Sequence, residues 1–203
     1  MLRAFEIETL CPGIFFWRLY DPAVKADLFS TGLATASGTY FIDPIPLTVH
    51  VMTGLASGRK SAGIVITNEN HERAATLFAE QFQVPVYSAA MDISGLAEIV
   101  PVSEGQTLAP GLTAVSIDGG PSGEITLYWE ANGGTLVVGD ALINFDPHGF
   151  TFLPPKYCQN FKRMCRSLAK LLEYRFERIL FAHGTPIVSG ARQRLEQLLR
   201  DTR

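Results

Sequence analysis

With 203 residues, 47% of them hydrophobic, the chain is long enough for one continuous core and is read as a single domain spanning 1–203. Seventeen basic against twenty acidic residues leave a net charge of −3, which disfavours nucleic acid and anionic membrane surfaces as partners. No apolar run reaches the roughly 18 residues of a membrane span, and the amino terminus lacks a basic region before an apolar core, so a cytoplasmic location is expected. Three cysteines (Cys11, Cys158, Cys165), odd in number and without a CxxC, suggest neither a disulfide framework nor a zinc knuckle.

In chain order, Phe5, Ile7 and Thr9 alternate with polar residues, Pro12-Gly13 marks a turn, and Ile14 to Tyr20 reads as a second strand. Asp27 to Ala36 and Thr39 to Ile42 form a hairpin about Ser37-Gly38, and Asp43-Pro44-Ile45-Pro46 ends it, with Asp43 expected simply to cap the loop. A helix from about Leu47 to Ala56 follows. Ile64 to Thr67, bounded by Gly63 and by Asn68-Glu69-Asn70, is a buried central strand that stops at a polar loop. A helix over His71 to Phe82 carries Ala74, Leu77, Phe78 and Phe82 on one face, and Val84 to Ser88 completes a βαβ unit.

Asp92 to Ala97 is predicted as a brief helix. Four alternating stretches come next: Glu98–Val102, Leu112–Ile117, Glu124–Trp129 and Leu136–Val138, separated by Gly-rich turns. Residues Pro147 to Pro155 are predicted as a loop, Cys158 to Tyr174 as a helix, Arg178 to Ala182 as a last strand, and Val188 to Arg200 as a final amphipathic helix. In such architectures the carboxyl ends of the strands are where ligands bind, and Asn68 to Arg73 sit at one.

Several segments line up with one family. Phe41-Ile42-Asp43-Pro44, Val65-Ile66-Thr67, the run GGPSGEITL from Gly119, Val137-Val138-Gly139-Asp140 and Phe181-Ala182-His183-Gly184 fall in the order and at the separations of the metallo-β-lactamase superfamily, which the chain resembles over nearly its whole length. The resemblance implies an α/β fold: a four-layer αββα sandwich of two mixed sheets with helices on both outer faces. It also implies hydrolytic chemistry on metal ligands carried by loops at one edge.

The ligand pattern departs from that family. Where its first loop reads Thr-His-x-His-x-Asp-His, this chain reads Thr67-Asn68-Glu69-Asn70-His71-Glu72-Arg73, and near Gly120 a further histidine is lacking. Aligned in that order, only Asp140 and His183 match the ligand set, and His71 falls on a non-ligand position. Asparagine is a poor zinc ligand and arginine repels a cation. No metal cofactor is therefore expected; if zinc or another divalent ion binds, Glu72, Asp140 and His183 are the ligands. An Arg73–Asp140 salt bridge is expected to fill the old metal position, with His183 beside Asp140 in its imidazolium form.

Three functional readings stay open. The first is a dismantled metal centre that binds a small molecule through Asn68, Asn70, Glu72 and Arg73, with Asp140, His183 and His71 as the reactive groups. The second is an ester or amide hydrolase using one ion. The third is an interaction module, monomeric or oligomeric, that uses Phe150 to Leu153 as its contact.

Overall fold

The computed structural model describes all residues except 1, 24, 59, 97, 202 and 203. The first half contains β1 (Glu8–Cys11), β2 (Ile14–Asp21), β3 (Ala26–Thr35), β4 (Gly38–Ile42), α1 (Val49–Gly58), β5 (Ser61–Ile66), α2 (Ala75–Phe82), β6 (Val86–Ser88) and β7 (Val100–Pro101). These strands form one sheet in chain order. It is antiparallel from β1 to β4 and parallel from β4 to β7. The β4–β5 and β5–β6 pairs are parallel because α1 and α2 supply the long return connection that a parallel neighbour needs.

The second half contributes β8 (Thr107–Ala109), β9 (Leu112–Ser116), β10 (Ile125–Trp129), β11 (Thr135–Val138), the hairpin β12 (Leu142–Phe145) and β13 (Gly149–Phe152), α3 (Phe161–Leu168), β14 (Arg178–Phe181) and α4 (Ala191–Arg200). The second sheet has the order β14-β11-β10-β9-β8, with only the β11–β14 pair parallel.

Strict alternation of side chains sorts each central strand between two cores. In β5, Val65 faces the core between the sheets while Ile64 and Ile66 face the core under α1 and α2. In β14, Leu180 faces inward between the sheets, whereas Ile179 and Phe181 face the core under α3 and α4. Because Ile64 to Ile66 and Ile179 to Phe181 are buried on both faces, these runs are apolar without a break rather than alternating. Three stacked cores and two sheets make the four layers helix, sheet, sheet, helix.

Several predicted boundaries shift. Helix α2 begins at Ala75 rather than His71, because Arg73 has a positive φ of 47° and holds the preceding loop out of the helix. Residues 92–96 form turns and no helix; Ala97 lies outside the described residues. The 147–155 stretch is not a plain loop: β13 within it pairs with β12 and closes a two-stranded flap over the end of the sandwich. The long predicted helix after Cys158 is a short α3, capped by Asn160 accepting from the Arg163 N–H, followed by 3-10 turns to Glu173. Among the described residues no helix is long and apolar enough to cross a membrane.

Packing under α2 centres on Phe78, which is fully buried and stacks on Trp17 at 5.8 Å between ring centroids and edge-on to Phe41 at 5.4 Å. Phe78→Ala removes this ring from a closed core and should cost about 3–5 kcal/mol. The lowered urea midpoint, followed by Trp17 emission, reads the loss; a change under about 0.5 kcal/mol, the size expected of a surface site, would contradict the packing described.

Candidate metal centre

Four strand ends meet at one edge of the sandwich: Asp43 directly follows β4 and Thr67 directly follows β5, while Asp140 and His183 lie in the turns just past β11 and β14. Asp43 is almost wholly buried and has a positive φ of 46°, which turns the chain sharply before Pro44. Its Oδ1 accepts from the Thr67 backbone N–H at 2.8 Å, and its Oδ2 accepts the Thr67 hydroxyl and lies 2.9 Å from His71 Nδ1. The expected loop cap is thus a buried anchor for the histidine opposite. That bond fixes the ring, as a carboxylate behind an imidazole does in metal sites generally.

His71 then turns its other nitrogen inward. Nε2 lies 3.1 Å from Asp140 Oδ1, yet is enclosed and has no hydrogen bond of sound geometry. His183 Nε2 approaches the same Asp140 oxygen at 3.3 Å, and the two rings are 5.5 Å apart at their centroids. His183 is held by a close backbone crossing. Gly184, at φ 114°, sits where a Cβ would come within 2.1 Å of the Asn144 carbonyl, and the Asn144 N–H donates to the His183 carbonyl at 3.2 Å.

The side chains around this trio differ from expectation in three ways. Arg73 makes no ion pair with Asp140 within 4 Å among the described residues; its guanidinium donates to the carbonyls of Phe29 (2.7 Å), Asp43 (3.1 Å) and Ala182 (3.3 Å), with Nη2 3.5 Å from His183 Nε2. The positive φ that delays α2 sends this side chain beneath the strand ends, where it acts on Asp140 only through space. Glu72 turns away to accept the Thr76 hydroxyl at 3.0 Å and is outside the trio. The charged imidazole is His71 and not His183.

The reasons are electrostatic. Burial disfavours charge on His71, but Asp140 and Asp43 on either side outweigh it and push its pKa up to about 9. For His183 burial outweighs the bond to Asp140, and its pKa is lowered, with Arg73 and His71 adding to the effect. Both aspartates are held below the usual range despite their burial, chiefly by the charge of His71.

Asn68 and Asn70 take the places of imidazoles in the family loop. Asn68 is fully buried; its amide donates to Glu124 Oε2 at 2.8 Å and to Asp140 Oδ2 at 3.1 Å, while its Oδ1 accepts the Asn70 N–H. Asn70 lines the open cleft above. Glu124, a residue the sequence reading passed over, is buried with Oε1 accepting the Ala141 N–H at 2.9 Å. Burial, and then the charge of Asp140, raise its pKa to about 8, so it is protonated at neutral pH.

The donor set could hold a divalent ion. His71, Asp140 and His183 each offer one ligand atom, all within 4.8 Å of one another. Ligands about 2.0–2.1 Å from a tetrahedral ion lie roughly 3.3 Å apart, close to the two N···O separations here. Beside them the Asn68 amide turns its N–H donors to Glu124 and Asp140.

The sequence model of the metallo-beta-lactamase superfamily matches residues 8–202. The chain belongs to that superfamily. Its fold is similar to that of a metallo-beta-lactamase family protein from Thermus thermophilus, at 18% identity and TM-score 0.71, covering 96% of this chain and 80% of that one. It is also similar to metallo-beta-lactamases from Pontibacter korlensis (14%, TM-score 0.73, 97% and 99% covered) and Hirschia baltica (13%, TM-score 0.71, 100% and 99% covered). No curated protein matches the chain significantly.

The protonated state of His71 makes the metal-free chain sensitive to alkali. Its folded pKa of about 9 stands above the ordinary value of 6.5, so the stabilisation is fully present below pH 6.5 and is lost as pH rises through 9. Urea midpoints of chelator-treated protein should fall between pH 6.5 and 9, and this slope should be reduced in His71→Gln. A midpoint unchanged across that window would contradict a charged His71.

Proposed function

We propose that this chain is a metallo-beta-lactamase-fold hydrolase that uses one divalent ion, zinc foremost, held by His71, Asp140 and His183. The observation that carries the reading is the convergence of two imidazole nitrogens on a single oxygen of Asp140, with His71 Nε2 enclosed and lacking any sound hydrogen bond. Two imidazoles and a carboxylate suit zinc, ferrous iron or manganese. Bound there, such an ion supplies Lewis acidity to a substrate carbonyl and to water.

The chain's own residues do the positioning. Asp43 accepts from His71 Nδ1 and so aims Nε2 at Asp140 Oδ1. The Asn68 amide occupies Asp140 Oδ2 and leaves Oδ1 facing the two histidines. Arg73 adds a fixed positive charge below them. The reaction class that fits is cleavage of an ester or amide.

A second reading has its own support. With a proton in place of the ion, His71 is an imidazolium between Asp43 and Asp140, Arg73 supplies the second positive charge, and the chain then serves as a small-molecule binder that needs no metal.

Metal analysis of the purified protein separates the two. One ion per chain is expected, with His71→Ala, Asp140→Ala and His183→Ala each losing at least about a hundredfold in affinity, at the upper end of what losing even a supporting ligand contact costs. Glu72→Ala should bind as the wild type does. No ion in protein reconstituted with zinc, manganese or ferrous iron overturns the hydrolase reading, and two ions per chain overturn the single-site assignment.

A further inference from the structure

Behind the trio lies a second layer of buried polar groups. Asn68 is fully buried and its side chain is held from three directions. Its Nδ2 donates to Glu124 Oε2 at 2.8 Å and to Asp140 Oδ2 at 3.1 Å, while its Oδ1 accepts the Asn70 N–H at 2.9 Å. An amide turned end for end would set its oxygen against both acids and its nitrogen against a backbone donor, so these partners together allow one orientation.

Of those partners, Glu124 is fixed by contacts outside the trio. Its Oε1 accepts the Ala141 N–H at 2.9 Å, and its own carbonyl accepts the Ile117 N–H at 2.8 Å at the start of β10. Two glycines make room for the side chain: a Cβ on Gly139 would come within 2.8 Å of Oε1, and one on Gly120 within 3.1 Å of Cγ. Both side-chain contacts use lone pairs, which a carboxyl group keeps with or without its proton, so they do not depend on its titration.

We infer that Glu124 is a positioning residue for the ion site. It holds the Asn68 amide with its nitrogen towards Asp140, and that amide keeps Asp140 Oδ2 engaged, so that Oδ1 stays between His71 Nε2 and His183 Nε2. Its effect on the ion rests on the hydrolase reading; the orientation of the amide does not. The consequence is an inverted order of substitutions. In Glu124→Gln the new amide must turn its oxygen to the Ala141 N–H, which belongs to the backbone and cannot rotate. Its nitrogen then faces Asn68 and reverses it, so that Asn68 Oδ1 points at Asp140 Oδ2 and the Asn70 N–H loses its acceptor. Glu124→Met removes the acceptors but presents no donor, and Asn68 keeps its bonds to Asp140 and Asn70. A role confined to packing predicts the opposite order, because glutamine keeps the shape and the Ala141 bond whereas methionine leaves that buried N–H unpaired.

Zinc affinity, measured by competition with a chromophoric chelator, and hydrogen exchange of the Asn70 N–H in chelator-treated protein are compared in the wild type and both variants. Glu124→Gln should bind zinc about tenfold or more weakly than the wild type, the range for a lost supporting contact, and more weakly than Glu124→Met. Its Asn70 N–H should exchange about tenfold faster than in the wild type, and that of Glu124→Met should not. In the wild type both side-chain amide protons of Asn68 should be protected from exchange, a readout that needs neither variant to fold. Zinc affinity in Glu124→Gln equal to the wild type or above that of Glu124→Met, an unchanged Asn70 rate, or an unprotected Asn68 proton overturns the inference. If the wild type binds no ion, the hydrolase reading falls and the exchange measurements alone decide this one; if it binds zinc while the predicted order fails, only the positioning role falls.

Discussion

The site hangs on the carboxylate of Asp43. It is buried at the end of β4 and satisfies three donors at once, the Thr67 amide and hydroxyl and His71 Nδ1, while its own backbone carbonyl accepts from Ser30 and Arg73. A buried carboxylate is tolerated only when its oxygens are filled in this way. Removing it strands Thr67 and frees the His71 ring, and Asp140 then loses the charge that keeps it ionised. The orientation of every other group at the centre follows from this bond.

Around it the charges are laid out in alternation, which is how so many ionisable groups share one buried edge. Asp43, His71 and Asp140 read minus, plus, minus, and Arg73 supplies the second plus from below through carbonyl contacts. Glu124 would add a third buried anion, but it stays protonated near neutrality, and the Asn68 amide stands between it and Asp140, donating to both. An imidazole at position 68 could not bridge two carboxylates this closely with one ring edge. The asparagine, with two donors on one nitrogen, is what lets the two acids approach each other here.

Much of the framework was legible because burial on both faces writes apolar runs that punctuation then delimits: β4, β11 and β14 were found to within a residue, and β5 was found with its start placed at Ile64 instead of Ser61. The roles within the loop were harder. Aligning Thr67 to Arg73 position by position assigned Glu72 a ligand's place and left His71 without one. The backbone decides otherwise, since the left-handed conformation at Arg73 holds the loop open to Ala75, turning His71 in and Glu72 out. A side chain's direction in an irregular loop depends on φ values that no periodicity reports. Glu124 left a fainter signal, an acid at the start of an apolar strand after a Gly-rich turn, where a solvated residue and a buried one look alike.

The same groups that arrange the site also join the two sheets. Arg73 donates to Phe29 at β3 and to Ala182 just past β14, thus to both sheets. The Thr67 carbonyl accepts from the Ile125 N–H across the sandwich, and Gly139 allows contact so close that a Cβ there would meet both the Thr67 hydroxyl and the Glu124 carboxylate at under 3 Å. Such a joint is rigid because relaxing any one contact disturbs packing on both sides, which suits a centre whose donor atoms must hold their separations. It follows that Asp43 and Arg73 cannot be separated into structural and functional parts. His183 belongs with them, since it pairs with Leu28 of β3 across the sheets and its ring lies beside Arg73, whereas Asn70 only faces the cleft.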